Sequence, residues 1–302
     1  MTAKKYANML FYTTLILLPI LLMDGERMAD AVRASLTLCA RSLIPALLVP
    51  LVLSGILSAY GGALVLPGGR VFTKIFHLPR GGLSPFLLGA LCGFPIGAKT
   101  AAELYDTGLY AKDDITRIAA LSANTGPAFA VAVVGTSFFG SARIGWWLYL
   151  IQLFSAIVLG VINAKKHPLP SICEETVSNT LHISLSDILY KSSLSLLTIT
   201  GTVAFFGTFC SLFSFFLPQS VTAVIAAILE VGNGTYYASR LPSAIGIPLA
   251  SFAISFSGIS VLFQNAAHLG VRGIPIVPII SQKLLQGSLA MLLTLLLLPI
   301  LQ

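Results

Sequence analysis

The sequence has 302 residues, of which 56% are hydrophobic and only 10% are charged, and its mean hydropathy is +0.90. A soluble globular domain carries about 25% charged residues, so this composition excludes that class and indicates an integral membrane protein. The net charge of +7 does not form a dense basic stripe with aromatic side chains. We therefore expect a lipid bilayer and no nucleic acid as partner, and we interpret the charge as an orientation signal.

Apolar segments that approach the length needed to cross a bilayer, about 20 residues, begin at the N-terminus. The first predicted span covers about 6–23, and we expect it to be retained because no small-residue cleavage site follows. An amphipathic linker extends to residue 42, and a second span covers about 43–60. The segment GGRVFTKIFHLPRGG then alternates basic and apolar residues, which is typical of a helix lying in the membrane interface.

Residues 83–108 enter the predicted membrane as an apolar segment but do not cross it. Gly93, Pro95 and Gly97 break the helix before it could span, and a short, half-polar helix follows. We therefore predict a re-entrant hairpin, whose two arms enter and leave on the same side of the bilayer.

The segment 111–139 is long enough to span but is interrupted halfway by Asn-Thr-Gly-Pro at 124–127. A further span is predicted over about 143–163. A polar linker over 164–186 then separates the two halves of the chain.

The second half of the chain repeats this plan. A span, a broken hairpin, an interrupted span and a last span recur over 187–216, 220–242, 243–270 and 276–300. The hairpin breaks at Gly232-Asn233-Gly234, and the interruption lies at 256–260. Paired interruptions at corresponding positions indicate a transporter built from repeats.

Basic residues favour one orientation of these elements. With the N-terminus in the cytoplasm and both hairpins returning to their side of entry, thirteen Lys and Arg residues lie inside and five outside, as the positive-inside rule requires. The predicted fold is therefore all-α, with about seven transmembrane helices and two re-entrant helical hairpins in two inverted repeats. The thirteen are Lys4, Lys5, Arg70, Lys74, Arg80, Lys99, Lys112, Arg117, Lys165, Lys166, Lys191, Arg272 and Lys283.

The four breaks predict a shared polar cavity. Unpaired backbone N–H and C=O groups cost several kcal/mol each in hydrocarbon, so broken helices are tolerated at depth only where protein or a water-filled cavity supplies partners. A new short helix begins after each break, and its free N–H groups carry a partial positive charge. Four such helix starts aimed at one cavity suit a carboxylate, a phosphate or another acceptor-rich solute.

Glu230 ends an apolar run and adjoins the break of the second hairpin. An ionisable residue at that depth is a functional hypothesis by default, and Glu230 could take up a proton or bind a coupling Na⁺. The structural alternative is that a serine or asparagine neighbour satisfies its carboxylate. The four cysteines have no metal-site spacing, so we predict no metal site and no cofactor besides a coupling ion.

Polar residues at the interruptions are the candidates for contact with a solute. Asn124 and Thr125 could bind it or could cap the half-helix that follows, and the two roles are compatible. Ser257 and Ser260 hold the equivalent position in the second half, and Gln264 lies on the same helical face as Ser260.

Lys99 and Glu103 are spaced i, i+4 in the second arm of the first hairpin. A local ion pair is one interpretation of this spacing. Lys99 also lies in the first turn of its helix, where it could attract an acidic solute. The alternative is that its side chain extends to the cytoplasmic face.

At these breaks the sequence resembles a bacterial family. The motifs GFPIGAKTAAELYDTG, NTGPAFAVAVVG, LEVGNG and SFSGISVLFQ look like the successive signatures of the sporulation integral membrane proteins of the YlbJ type, over about residues 40–300. That family is similar to the Gate, or nucleoside-recognition, domain group and, in architecture, to concentrative nucleoside transporters. The resemblance implies a substrate site built from two re-entrant hairpins and two interrupted helices, and transport of dipicolinic acid, a small aromatic dianion. The residues that match by position are Gly93, Pro95, Gly97, Asn124, Thr125, Glu230, Asn233, Ser257, Ser260 and Gln264.

The predicted function is secondary transport, by alternating access, of a small anionic or nucleoside-like solute. The alternative is a gate or assembly subunit that does not itself transport. No HExxH, no GxSxG and no paired aspartates in adjacent spans occur, so we expect no enzymatic activity. No P-loop occurs either, so direct ATP drive within this chain is not expected.

We divide the chain into a first helix with its linker (1–42), a first Gate repeat (43–163), a cytoplasmic linker (164–186) and a second Gate repeat (187–302). The expected location is the bacterial cell membrane, with several crossings and a cytoplasmic N-terminus. The resemblance implies the outer forespore membrane. It also makes a homo-oligomer one arrangement to test, because nucleoside transporters of similar build form trimers.

Overall fold

The structure, a computed structural model, describes residues 11, 12, 15, 19, 24–61, 66–170 and 184–301. Every regular element in these ranges is a helix, as the sequence predicts. The predicted first span lies outside the described residues apart from four positions, and so does most of the linker over 164–186.

The described ranges contain five helical segments that are long and apolar enough to cross a bilayer: Gly25–Leu53, Ala142–Ala164, Leu185–Phe216, Ser243–Gly270 and Val277–Pro299. Two apolar helices are shorter than the roughly 20 residues that a crossing needs, namely Ala128–Phe138 and Gln219–Leu229. The chain is therefore a multi-pass integral membrane protein. Crossings beyond these five stay a prediction.

The helices are numbered here in chain order. Those of the first half are α1 (Gly25–Leu38), α2 (Ile44–Gly61), α3 (Gly69–Phe76), α4 (Leu83–Cys92), α5 (Ile96–Asp106), α6 (Lys112–Ser122), α7 (Ala128–Phe138) and α8 (Ala142–Ala164). Those of the second half are α9 (Leu185–Phe216), α10 (Gln219–Leu229), α11 (Val231–Ser239), α12 (Ser243–Phe256), α13 (Gly258–Gly270) and α14 (Val277–Leu301). α7 is wound as a π-helix.

The predicted linker after residue 24 and the second span form one continuous helix, without the division that the sequence suggests at residue 42. Asp24 caps its start, because Asp24 Oδ1 accepts a hydrogen bond from Arg27 N at 3.2 Å. After the first residue of this helix no glycine or proline occurs before Pro45. A π-helical turn, Cys39–Leu43, joins α1 to α2 just before that proline. The wider turn gives the proline ring room beside the preceding carbonyls.

Two pairs of short helices form hairpins, α4 with α5 and α10 with α11. In each hairpin a glycine of the second arm approaches the backbone of the first arm. A Cβ on Gly97 would lie 2.9 Å from Gly89 Cα, and a Cβ on Gly234 would lie 2.4 Å from Ala227 Cα. The arms of both hairpins are therefore held at backbone contact, and no single arm is long enough to cross a bilayer.

Two longer helical segments are interrupted near their middles. Residues 123–127 separate α6 from α7, and α12 meets α13 at Ser257, whose φ of 75° is left-handed. α7 packs on α8 and α11, and α13 packs on α5 and α10. The second part of each interrupted segment thus contacts the second arm of the hairpin in the other half of the chain.

The predicted surface helix is α3. Its Phe72 and Phe76 are buried in a core cluster with side chains of α5 and α6, whereas Lys74 is exposed. Arg117 of α6 donates to Phe76 O at 2.9 Å and to His77 O at 3.1 Å. These bonds satisfy carbonyls that the end of a helix leaves unpaired, and they fix α3 to α6.

Candidate solute site

The four helix breaks meet in pairs. The break of the first hairpin contacts the first interruption, because a Cβ on Gly93, which has a φ of 82°, would lie 2.6 Å from Gly126 N. The break of the second hairpin contacts the second interruption, because a Cβ on Gly258 would lie 3.0 Å from Glu230 Cα. Glycine permits both approaches because it has no side chain.

Thr125 joins the two pairs of breaks. Its Oγ1 donates to Ile254 O at 2.8 Å, one of the carbonyls that the end of α12 leaves without a helical partner. Gln152 of α8 satisfies the backbone of the same residue: Gln152 Nε2 donates to Thr125 O at 2.9 Å, and Gln152 Oε1 accepts from Thr125 N at 3.2 Å. Protein groups therefore stabilise this interruption.

A cavity lies where the breaks meet. Its polar side chains include Thr125, Glu230 and Gln264, and its wall is otherwise largely apolar, with Phe94 and Phe129 among the lining residues. The cavity volume of about 40 Å³ admits a few water molecules, since one water needs about 10–15 Å³. A solute with a ring needs more room, so the cavity must widen to admit one.

The carboxylate of Glu230, which is 3% exposed, caps its own helix. Oε1 accepts from Gly232 N at 2.8 Å, and Oε2 accepts from Asn233 N at 2.6 Å and from Asn233 Nδ2 at 2.9 Å. The ion pairs of the described residues do not include Glu230. The start of α11 offsets its negative charge. An asparagine neighbour thus satisfies the carboxylate of Glu230, which is the structural alternative that the sequence raised. Ion coupling by Glu230 stays a prediction.

A buried polar network that sequence reasoning missed adjoins Thr125. Lys283 of α14 is fully buried, and its Nζ donates to Gln286 Oε1 at 2.8 Å and to Asn124 Oδ1 at 3.4 Å. Gln286 Nε2 donates to Asn124 Oδ1 at 3.0 Å and to Gln152 O at 3.1 Å. α14 and α8 are therefore tied to the first interruption through these side chains.

The side of the bilayer on which Lys283 lies stays a prediction, but its side chain is buried within the protein. Near the start of a span a lysine side chain commonly extends to the interface, but α14 turns Lys283 inward toward Asn124. Burial does not decide the side of the bilayer, so the count of thirteen basic residues inside and five outside stays a prediction. Two signals could have indicated the network: Lys283 and Gln286 share a helix face, and Gln152 is an amide in the middle of an apolar span.

Four of the predicted site residues line the cavity: Gly93, Thr125, Glu230 and Gln264. The other seven do not line it, namely Pro95, Gly97, Lys99, Asn124, Asn233, Ser257 and Ser260. Asn233 contacts the cavity-lining Glu230, and Asn124 precedes Thr125. A role in binding stays a prediction for all eleven.

Gly97 is explained by packing. A Cβ on Gly97 would lie 2.2 Å from Ser122 O, and a Cβ on Gly89 would lie 1.8 Å from the same oxygen. The carbonyl at the end of α6 thus fits between the two arms of the first hairpin. That approach alone requires glycine at position 97.

Asn124 does not cap α7, the structural alternative that the sequence raised. Its Nδ2 donates to Leu121 O at 2.7 Å and so satisfies the end of the preceding helix, α6. α7 begins after Pro127 with no side-chain cap. The N–H groups at the start of α7 therefore have no side-chain acceptor.

Two polar side chains of α13 are buried without hydrogen-bond partners. Ser260 and Asn265 are each 1% exposed, and neither the Ser260 hydroxyl nor either amide atom of Asn265 is paired within the described part of the chain. Ser260 shares the helix face that carries Gln264, whereas Asn265 lies on another face. Polar groups unpaired at such depth are unfavourable, so the faces of α13 near the cavity are polar but incompletely satisfied.

The second arm of the first hairpin carries two ion pairs. Lys99 Nζ lies 3.8 Å from Glu103 Oε1, and 35% of the lysine side chain is exposed. Farther along, Arg272 Nε donates to Asp106 Oδ1 at 2.7 Å, and the guanidinium makes a second bond to Oδ2. Hydrogen bonding from Arg272 lowers the pKa of Asp106 below its ordinary value. This pair connects the end of α5 to the loop that follows α13.

Metal-binding side chains do not cluster in the ranges that the structure covers: no group of three or more His, Cys, Asp or Glu residues there could hold a metal ion. The carboxylate of Glu230 and the thiol of Cys92 line the cavity, and the amine of Lys283 approaches it through Asn124.

Comparison with known proteins confirms the resemblance at the level of sequence. The chain is 24% identical to the sporulation integral membrane protein YlbJ of Bacillus subtilis (strain 168) over 317 aligned residues. The alignment covers 86% of this chain and 75% of YlbJ. No family model matches the chain, and no solved structure matches it. The Gate grouping therefore stays a prediction, and over most of its length the chain is similar to a sporulation membrane protein.

Proposed function

We propose that the chain is a secondary transporter that carries a small anionic or nucleoside-like solute by alternating access. The observation that carries this proposal is that three of the four helix breaks line one cavity, through Gly93, Thr125 and Glu230, while the fourth break contacts Glu230 at Gly258. Broken helices are tolerated at membrane depth where they line a cavity, and discontinuous helices form the substrate sites of many secondary transporters.

The contacts between helices support two repeats of opposite orientation. In the first half α5 packs on α6, and in the second half α11 packs on α12 at the corresponding position. The second part of each interrupted segment contacts the hairpin of the other half, since α7 packs on α11 and α13 packs on α5. We propose that this exchange reflects a pseudo-two-fold axis. The hairpins α4–α5 and α10–α11 would then be re-entrant, and the predicted span over 6–23 would complete seven crossings.

The charges around the cavity suggest how an ion could be coupled to the solute. α7, whose first residue Ala128 lines the cavity, begins without a side-chain cap, and the N–H groups at such a helix start favour an anion. Glu230 lines the same cavity. Two negative groups repel one another strongly in a medium of low dielectric constant. A proton or Na⁺ that neutralises Glu230 would therefore accompany an anionic solute.

Dipicolinate is the first solute to test, because the chain is similar to a sporulation membrane protein and the resemblance implies that dianion. The proposed location is the bacterial cell membrane with a cytoplasmic N-terminus, and the outer forespore membrane in a sporulating cell. We propose no enzymatic activity. The alternative, a gate or assembly subunit that does not transport, gains no support from the described residues.

Uptake into proteoliposomes tests the proposal. The purified full chain is reconstituted, and uptake of labelled dipicolinate, uridine and succinate is measured with an imposed pH or Na⁺ gradient. We expect one solute to enter faster than into protein-free vesicles, and a gradient of one ion to drive it. A folded protein that moves none of them and co-purifies with a partner would favour the assembly subunit.

The role of Glu230 is tested in the same assay with Glu230→Gln, and Glu103→Gln serves as the control. We expect Glu230→Gln to lose the dependence on the driving ion and the control to keep it. An unchanged ion dependence in Glu230→Gln would rule out the coupling role.

A further inference from the structure

Lys283 is a buried amine without an ionic partner. The ion pairs of the described residues do not include it. An ammonium has three N–H donors, and Nζ has two acceptors here, Gln286 Oε1 at 2.8 Å and Asn124 Oδ1 at 3.4 Å. The second distance is long for a hydrogen bond. The amine is therefore held by neutral amides alone.

The two amides are oriented with their oxygens toward Nζ. Asn124 Nδ2 donates to Leu121 O at 2.7 Å, and Gln286 Nε2 donates to Gln152 O at 3.1 Å and to Asn124 Oδ1. A flipped amide would lose these bonds and would direct its nitrogen at Nζ. The network is thus arranged to hold a donor at this position, and it supplies no negative group.

The helices that pack on α14 bring no acid to Lys283. α12 contains no titratable residue, and α8 carries Arg143 and Tyr149. α6 carries two acids, but each has another partner: Asp113 lies 3.5 Å from His167, and Asp114 lies 3.6 Å from Arg117. Burying a cation without a counter-charge is unfavourable. A structural ion pair therefore does not explain the lysine.

We infer that Lys283 gives the cavity its preference for solutes that carry a negative group, an inference that rests on the proposed transport function. Asn124 accepts from Nζ, and the next residue, Thr125, lines the cavity. In the low-dielectric interior a charge acts well beyond its contact distance, so a negative group in the cavity compensates the buried ammonium. Lys99 is less suited to this role, because it is partly exposed and paired with Glu103.

The test compares Lys283→Met and Lys283→Arg with a control, Lys74→Gln, which removes one exposed lysine from α3. The probes are dipicolinate and its neutral analogue pyridine-2,6-dicarboxamide, which share a ring and a shape. Affinities are measured on the purified full chain by calorimetry. We expect wild type, the control and Lys283→Arg to prefer dipicolinate by about tenfold or more, and Lys283→Met to lose that preference.

The unfolding temperature without ligand separates this role from a merely structural one. Lys283→Met removes an uncompensated charge and keeps a side chain of similar length, so we expect it to unfold within about 2 °C of wild type, or higher. A larger loss of stability with the dipicolinate preference intact would make Lys283 a structural residue and would overturn the inference.

The outcomes also separate this inference from the proposed function. A wild type that binds both probes equally well contradicts the role of Lys283 alone, and so does an unchanged preference in Lys283→Met. A wild type that binds neither probe counts against the solute site and against Lys283 together.

Discussion

The second arms of the two hairpins begin in opposite ways. α5 follows Gly93 and Pro95, no side chain caps its first N–H groups, and Lys99 lies in its first turn. α11 follows Glu230, whose carboxylate accepts hydrogen bonds from the N–H groups of Gly232 and Asn233. The start of α5 therefore has no side-chain acceptor, whereas the start of α11 has a carboxylate as its acceptor.

This difference separates two kinds of chemistry at one cavity. An uncapped helix start suits the negative group of a solute, whereas a buried carboxylate suits a proton or a cation. The two halves of the chain share an order of helices but differ in the residue at the break. A common architecture can thus provide different binding groups on its two sides, and the variants below test that division.

The largest effect is expected where the two hairpins are alike, at the glycines that bring their arms together. Gly97→Ala places a methyl 2.2 Å from Ser122 O, and Gly234→Ala places one 2.4 Å from Ala227 Cα. Because backbone must move in both cases, each should lower the free energy of unfolding by about 3 kcal/mol. Thermal unfolding in detergent measures this.

The control for these variants is Gly270→Ala, whose added methyl meets nothing within 4 Å. It should stay within about 0.5 kcal/mol of wild type, as surface substitutions usually do. Equal shifts in all three variants would contradict the backbone contacts described for the hairpins.

The next effect distinguishes the two breaks. Glu230→Gln replaces an oxygen that accepts from α11 N–H groups with an NH₂ group that cannot accept, so the protein should lose about 1–2 kcal/mol of stability. Glu103→Gln, on the first hairpin, alters only a partly exposed pair and should cost less than about 0.5 kcal/mol. Chemical denaturation in detergent compares the two. Similar losses would mean that the acidic cap contributes nothing particular.

A smaller effect concerns the ends of the hairpins. Asp106 is paired with Arg272, whereas α11 ends with Arg240 over the ring of Tyr236. Asp106→Asn should cost about 0.5–1 kcal/mol at neutral pH, as is usual for a half-exposed pair. Thermal unfolding at neutral pH measures this loss.

The pH dependence of the Asp106 contribution follows from the same contact. Arg272 lowers the pKa of Asp106, so its contribution is complete above the ordinary value of 3.8 and is lost as pH falls through the lowered value. Unfolding temperatures measured from neutral to acid pH should therefore converge for wild type and Asp106→Asn below about pH 4. A difference that persists at acid pH would contradict the pairing.

The smallest effect is expected at Lys99. Lys99→Ala should change stability by less than about 0.5 kcal/mol, because its pair with Glu103 is partly exposed. It should weaken dipicolinate binding by no more than about twofold at physiological salt, where exposed charges are screened. Calorimetry at low and high salt measures this. A larger loss of dipicolinate affinity that persists at high salt would indicate that Lys99, and not Lys283, binds the anion.

The helix breaks could be predicted from sequence because their causes are local. Gly93 has a positive φ, and Glu230 is followed within three residues by the N–H groups that it accepts from. Such preferences are encoded in neighbouring residues. The continuous helix through residue 42 was harder to foresee. The composition changes there from charged to apolar, but the backbone stays helical.

The partners at the site could not be predicted because they are distant along the chain. Thr125 bonds to Gln152 and Ile254, which are 27 and 129 residues away, and Lys283 bonds to Asn124 across 159 residues. These contacts depend on how each helix is rotated about its axis. A helix that is apolar on nearly every side, such as α14, gives little indication of that rotation.

The hydrogen bond from Thr125 to Ile254 has a mechanical consequence. If the two interrupted segments slid past one another, a hydroxyl and a carbonyl would both be stranded in a medium without water. The segments should therefore travel as one rigid block. The first hairpin, whose arms enclose the carbonyl of Ser122 at the end of α6, should travel with this block.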